Sequence, residues 1–330
     1  MPLILPAILA SLPFLGAAAA PQEPTVDQRV DEAAAAVATA LDEFLDGRGS
    51  RLKAFASADG RLQLYSDFSR RDSLRALERS EGILARLDGS LGAPPDPGAA
   101  LLRAVLVKRH KGYQALCDVV AAADPAQAGF MEASRATTGF TLYRPPITVY
   151  FHDPKVQKEA RPDHSVAHNL VHLELTRRYG QLPLWLKEGL ACAGEEGAFG
   201  EVWAPWYRDG FVFSKSHGAW RDRARELAAG MEATMPRVFR YPAKPYEDDL
   251  AHLAFAFATW CLEEQPEALK SFLAALQAEY ALHWKEGGRF QPDPALVLEF
   301  AGASFGADWR QRLQDWWSLP PPEKSRSGRR

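Results

Sequence analysis

Two histidines spaced four residues apart, His168 and His172, are the residues that most directly indicate metal chemistry. In an α-helix, residues i and i+4 lie on one face, so two imidazoles at this spacing can bind the same ion. A third ligand must come from another element. Glu188 lies sixteen positions after His172, early in a second helical stretch that begins near Pro183. Two histidines and one glutamate, with the fourth position open to water, form a ligand set of catalytic Zn²⁺ sites.

The segment from Pro183 to Ala191 reads PLWLKEGLA, and it resembles the PxWLxEGLA motif of the peptidase-MA-like branch of the gluzincin metallopeptidases. In that family the motif follows an HExxH helix and supplies the third zinc ligand. The first motif here reads HNLVH, from His168 to His172. The resemblance covers about residues 50–317. It implies a zincin-like fold with zinc bound by His168, His172 and Glu188.

Asn169 occupies the position of the family's catalytic glutamate. That glutamate takes a proton from water and passes it to the leaving amine, whereas an amide can only hydrogen-bond the water. Loss of a general acid–base costs on the order of 10²–10⁴ in rate. Glu174 is off the ligand face and cannot substitute, while Glu195 and Glu196 are candidates to lie behind the ligands. The sequence therefore predicts an impaired or inactive peptidase homologue.

A second register of the same segment is also open. His164 and His168 are four residues apart as well, and Glu188 follows His168 by twenty, which is close to the spacing of thermolysin-like enzymes. Ser165 would then stand at the glutamate position, so the base is missing in either register. Histidines at this spacing are also often ordinary surface or core residues.

Two further residues are candidates to polarise a substrate carbonyl. Family members often place a tyrosine in the helix that His252 begins here, and an imidazole can donate the same hydrogen bond. Tyr246, just upstream, competes for that role.

The net charge of −3 argues against nucleic acid as a partner. The resemblance to the peptidases implies a peptide or protein ligand in the cleft. Residues 2–16 are almost wholly apolar and a run of alanines follows, which is typical of a signal peptide although no lysine or arginine precedes it. We therefore expect export, with no membrane span after cleavage. Two other functions stay open: an active zinc-dependent hydrolase using metal-bound hydroxide, and a metal-free exported structural or binding domain.

The predicted fold class is α+β and zincin-like: a small mixed sheet packed on the metal-binding helix, then a helical half. Alternation predicts a strand at residues 61–65, and a β-rich run indicates another at residues 101–107. Two further strands, at residues 139–143 and 147–151, are predicted as a hairpin or as two neighbouring edge strands. Helical periodicity predicts helices at residues 27–45, 72–87 with Asp72 as the N-cap, 110–122, and almost throughout from residue 162. The predicted divisions are a signal peptide (1–20), an N-terminal helical segment (21–50), a gluzincin-like domain with sheet (51–160) and helical (161–317) subdomains, and a disordered tail (318–330).

Overall fold

The computed structural model describes residues 26–47, 51–94, 101–153, 161–203, 218, 220–240, 248–284 and 292–320. Within these residues the fold class is α+β, as predicted, with a five-stranded mixed sheet followed by a helical half. The predicted signal peptide, most of the predicted tail and Tyr246 lie outside the described residues. None of the described helices has the length and hydropathy needed to cross a membrane.

The strands and helices of the first half are α1 (Val26–Asp46), β1 (Lys53–Ala56), β2 (Leu62–Ser66), α2 (Arg70–Leu91), β3 (Leu102–Val107), α3 (His110–Ala123), α4 (Ala128–Ser134), β4 (Gly139–Tyr143) and β5 (Pro146–Phe151). The helices of the second half are α5 (Pro162–Tyr179), α6 (Leu184–Phe199), α7 (Trp220–Glu226), α8 (Met231–Phe239), α9 (Asp248–Glu264), α10 (Pro266–Trp284), α11 (Pro294–Phe305) and α12 (Trp309–Ser318). The N-cap of α2 is Ser69, whose side chain accepts from the backbone N–H of Asp72, so the prediction of Asp72 as the cap was wrong.

The strands of the sheet lie in the order β1-β2-β3-β5-β4. The three central strands β2, β3 and β5 are parallel, and the edge strands β1 and β4 are antiparallel to their neighbours. The β4–β5 pair is an antiparallel hairpin, which is one of the two predicted arrangements. Strand β1 was not predicted, because a short and mostly exposed edge strand carries no clear alternation.

Alternating side chains divide the sheet between two apolar clusters. Leu102, Ala104 and Leu106 of β3 belong to the larger cluster, which continues through α2, α5, α6 and α9. Val105 and Val107 point the opposite way, into a smaller cluster with α1 and α3. The larger cluster therefore joins the sheet to the helical half, and α5 lies directly on the sheet.

A buried ion network fixes the C-terminal end of α5. Glu174 is fully buried and accepts hydrogen bonds from Arg177 at 2.9 Å and from Arg178 at 2.7 Å. Arg178 also donates to the backbone oxygen of Gly92 at 2.6 Å, beyond the end of α2, and to Asp88. Burial opposes ionisation of Glu174, but the two arginines outweigh it and lower its pKa. Glu174 is therefore a structural carboxylate, in agreement with its predicted position off the ligand face.

Helices α6 and α9 approach each other closely at Gly189, the residue after the candidate ligand Glu188. A Cβ at Gly189 would lie 2.5 Å from the backbone oxygen of Ala254 in α9. Only a glycine allows this distance, because a backbone carbonyl cannot move aside as a flexible side chain can. Gly189 therefore sets how deeply α6 enters the core, and with it the position of Glu188.

Gly189→Ala is expected to destabilise the protein by about 1–3 kcal/mol, through overpacking against α9. Gly82→Ala is the matched control, because Gly82 is an exposed residue inside α2 and its added Cβ would meet nothing within 4 Å. That control should stabilise the protein by about 0.5–1 kcal/mol. Urea unfolding of both variants measures the difference, and two changes of the same sign would contradict the packing argument.

Candidate metal centre

The side chains of the HNLVH segment project from one of the most buried helices of the protein. Helix α5 begins at Pro162, and nearly all of its residues from His164 to Leu175 are buried. His168 and His172 lie one turn apart on the same face, with ring centroids 4.9 Å apart. The predicted i, i+4 geometry of the two imidazoles is therefore present.

Glu188 reaches the two histidines from α6, which begins at Leu184 directly after Pro183. Its Oε2 lies 3.1 Å from His168 Nε2, and its Oε1 lies 3.6 Å from His172 Nε2. Ligand atoms at about 2.0–2.1 Å from a tetrahedral zinc ion are roughly 3.3 Å from one another, which these distances bracket. The three buried side chains could therefore hold a metal ion.

One buried atom of this cluster lacks a hydrogen bond. His172 Nε2 is closed to solvent and has no hydrogen-bond partner among the described residues. Buried polar atoms are nearly always satisfied, so such an atom requires an explanation. A metal ion between His172 and Glu188 would satisfy it, and imidazole and carboxylate together suit zinc.

The charges of His172 and Glu188 are already those that a metal requires. Burial disfavours the imidazolium form and lowers the pKa of His172 to about 3. Burial alone would raise the pKa of Glu188, but the charges of His172 and His168 and a hydrogen bond from His168 lower it to about 2. At neutral pH, His172 is therefore neutral and Glu188 is ionised, and both can ligate without losing a proton.

His168 differs, because carboxylates lie on both sides of its ring. Its Nδ1 is 3.3 Å from Glu195 Oε2, and its Nε2 faces Glu188. Burial disfavours the charged ring, but hydrogen bonds with Cys192, Glu188 and Glu195 outweigh burial and raise the pKa of His168 well above its usual value. Without metal, His168 is an imidazolium that donates one N–H to each carboxylate.

Glu195 is the anchor behind His168. Its carboxylate is fully buried, lies 2.6 Å from His164 Nδ1, and also accepts the backbone N–H of Trp203. His168, Cys192 and Glu195 likewise have ligand atoms within 4.8 Å of one another. Since three donors already satisfy Glu195, we place the candidate ion on the other side of the ring, at Nε2. Glu195 thus lies behind His168, the position that the sequence predicted.

Contacts in the same region distinguish between the two registers and show where Glu196 points. His164 turns toward Glu195, and its other ring nitrogen lies 3.9 Å from Glu201, so it does not join Glu188. Glu196, the second residue predicted to lie behind the ligands, instead forms an ion pair with Arg221 at 2.7 Å. That second prediction was wrong, because adjacent residues on a helix point about 100° apart.

Asn169 is half-buried and holds α5 against the edge strand. Its Nδ2 donates to the backbone oxygen of Ser165 at 2.8 Å, and its Oδ1 accepts from Thr141 of β4 at 3.2 Å. Both ends of the amide are therefore engaged. The sequence gives no signal for the partner Thr141, since a contact across 28 residues depends on the tertiary fold.

His252 lies in α9 and is buried, with its ring centroid 4.4 Å from the indole of Trp220. The structure therefore places the predicted carbonyl-polarising residue in a buried packing contact. The competing candidate Tyr246 lies outside the described residues.

A buried lysine beside the ligands was missed by the sequence analysis. Lys187 precedes Glu188 in α6, and its Nζ donates to the hydroxyl of Tyr143 in β4 at 3.0 Å. The lysine was visible in the sequence as the second of the two variable residues of the PxWLxEGLA motif. Its partner, 44 residues earlier, was not.

Neither the known protein-family models nor the curated proteins contain a match to the chain. Evidence on function therefore comes from the geometry of the site and from the resemblance of its two motifs.

Zinc binding at pH 7 is expected to release about one proton, because the metal must displace the proton that His168 holds at Nε2. His172 and Glu188 contribute none, since their pKa values of about 3 and about 2 leave them deprotonated. The apparent zinc affinity should rise with pH until it passes the raised pKa of His168. Calorimetric titration in two buffers of different ionisation enthalpy measures the released proton.

Glu195→Gln is the informative companion variant, because it removes the negative charge behind His168 and so lowers the pKa of that ring. Proton release per zinc should fall in this variant. A heat of binding that does not depend on the buffer in wild-type protein would contradict the assigned protonation of His168.

Proposed function

We propose that the protein is an exported, zinc-binding relative of the gluzincin metallopeptidases whose peptidase activity is impaired. The convergence of His168, His172 and Glu188, with His172 Nε2 buried and unpartnered, is the observation that carries the proposal. The PLWLKEGLA segment supports the family, and the composition of residues 1–20 supports export.

Each residue of the site has a defined task in this proposal. The two imidazoles would hold the ion through Nε2 and Glu188 would hold it through its carboxylate, while Glu195 holds the Nδ1–H of His168 and so fixes its ring. Zinc bound there would polarise a carbonyl and lower the pKa of a water molecule. Glu195 itself is 0% exposed, so it cannot contact a substrate directly.

Hydrolysis fails in this proposal at proton transfer. A carboxamide has no basic site at neutral pH, so Asn169 cannot accept the proton that must move from water to the leaving amine. Its two hydrogen bonds to Thr141 and Ser165 also engage both ends of its side chain. The site therefore binds a peptide or protein segment without efficient turnover.

Zinc is expected to stabilise the purified protein by about 2.7 kcal/mol when free zinc exceeds its dissociation constant a hundredfold. His172→Ala and Glu188→Gln should each abolish this stabilisation. His110→Ala should keep it, because His110 is an exposed histidine at the start of α3. Thermal unfolding with and without zinc, together with metal analysis, gives the measurement. Absence of both stoichiometric zinc and stabilisation in the wild type would favour a metal-free domain.

Asn169→Glu is expected to raise peptide hydrolysis by a factor on the order of 10²–10⁴, because it restores a proton acceptor at the family's position. Asn169→Gln is the matched control, since glutamine has the same length but accepts no proton. Cleavage of a mixed peptide library, with and without a chelator, gives the rates. A wild type that cleaves as fast as Asn169→Glu, with the chelator stopping both, would establish an active hydrolase instead.

A further inference from the structure

Lys187 is a buried cation with no carboxylate partner. Only 8% of Lys187 is exposed. Among the described residues, no acidic group lies within ion-pair distance of its Nζ. Its Nζ lies 3.0 Å from the hydroxyl of Tyr143 and 5.0 Å from the centroid of that ring. An ammonium removed from water is costly unless an opposite charge compensates it.

The carboxylate adjacent in sequence, Glu188, is already engaged. Its two oxygens face the two histidines with which it would bind the ion. A divalent ion would bring two positive charges and Lys187 adds a third, whereas the carboxylates of Glu188 and Glu195 offset two of them. Asn169 contributes no charge where the family has a carboxylate. With zinc bound, the site therefore keeps an excess positive charge, which favours an anionic ligand.

The small exposed surface of the site belongs to three of its residues. His172 and Glu188 are each 5% exposed and Lys187 is 8% exposed, whereas the residues behind the candidate ion, His168, Cys192 and Glu195, are each 0% exposed. We therefore place the approach of a ligand at His172, Glu188 and Lys187.

The Lys187–Tyr143 pair leaves two donor groups, one ammonium and one hydroxyl, for such a ligand. Lys187 gives one N–H to the oxygen of Tyr143 and retains two others, while the hydroxyl hydrogen of Tyr143 is free to point elsewhere. One ammonium and one hydroxyl match the two oxygens and the single charge of a carboxylate.

We propose that Lys187 and Tyr143 form a carboxylate subsite beside the candidate metal centre, which takes either the C-terminal carboxylate of a peptide or an acidic side chain. This inference rests on the proposed zinc-binding function, because the excess positive charge is largest with the ion bound. The neutral Asn169 then has a second consequence: it removes the charge that would repel a carboxylate ligand.

Binding of pentaalanine that carries an uncharged dansyl label to the zinc-loaded full chain tests the proposal by fluorescence anisotropy at one fixed pH. Three peptides separate the two sources of carboxylate: a free C-terminus, a C-terminal amide, and an amide with one internal glutamate. At least one carboxylate form should bind about tenfold or more tightly than the neutral amide. Equal binding of all three would overturn the proposal.

Lys187→Met and Tyr143→Phe should each weaken the preference for a carboxylate. The expected reduction is about tenfold or more for Lys187→Met and smaller for Tyr143→Phe. Lys108→Met is the matched control, because Lys108 also lies over an aromatic ring, that of Phe68, at 4.8 Å. The control should keep the preference. A similar loss in Lys108→Met and Lys187→Met would contradict a specific subsite.

The zinc-dependent thermal shift separates this proposal from the proposed function. Lys187→Met should keep the shift while losing the carboxylate preference, which shows that the variant is folded and still binds zinc. A wild type that shows the shift without any carboxylate preference overturns the subsite alone. A wild type without the shift, whose peptide preference still depends on Lys187, supports the subsite and contradicts the zinc proposal.

Discussion

The dry contact between α5 and α6 is the constraint on which the site depends. Ionisable groups from two helices meet there with little or no water, and each must find an opposite charge or a hydrogen bond within the protein. Glu188 and Glu195 meet this demand by enclosing the ring of His168 from its two sides. The close approach of α6 to α9 at Gly189 holds the carboxylate of Glu188 at the required depth.

Much of the fold and the centre of the site could be predicted from the sequence, because both are encoded by short periodic patterns. Alternation and β-rich composition located β2, β3, β4 and β5 to within one residue, and the i, i+4 spacing together with Pro183 located the two helices of the metal centre. The likeness to the zincins and the presence of zinc go beyond these patterns and stay predictions. These patterns encode which side chains share one face of a helix or a strand.

The remaining features depend on contacts between distant segments, which no local pattern carries. Thr141 bonds to Asn169 across 28 residues, and Tyr143 bonds to Lys187 across 44. The orientation of Glu195 toward His168, but of Glu196 toward Arg221, follows from the rotation of α6 about its axis, which the rest of the core sets. Burial likewise decided the protonation of His172, since a histidine in the sequence has no fixed charge.

The two contacts of β4 have a mechanical consequence. Thr141 and Tyr143 are two residues apart on one face of the strand, about 7 Å along it. One holds α5 through Asn169 and the other holds α6 through Lys187. The edge strand is thus braced against both helices at once, and the spacing between strand and helices is fixed at two points. Any movement of β4 away from these helices would therefore have to break one of the two hydrogen bonds.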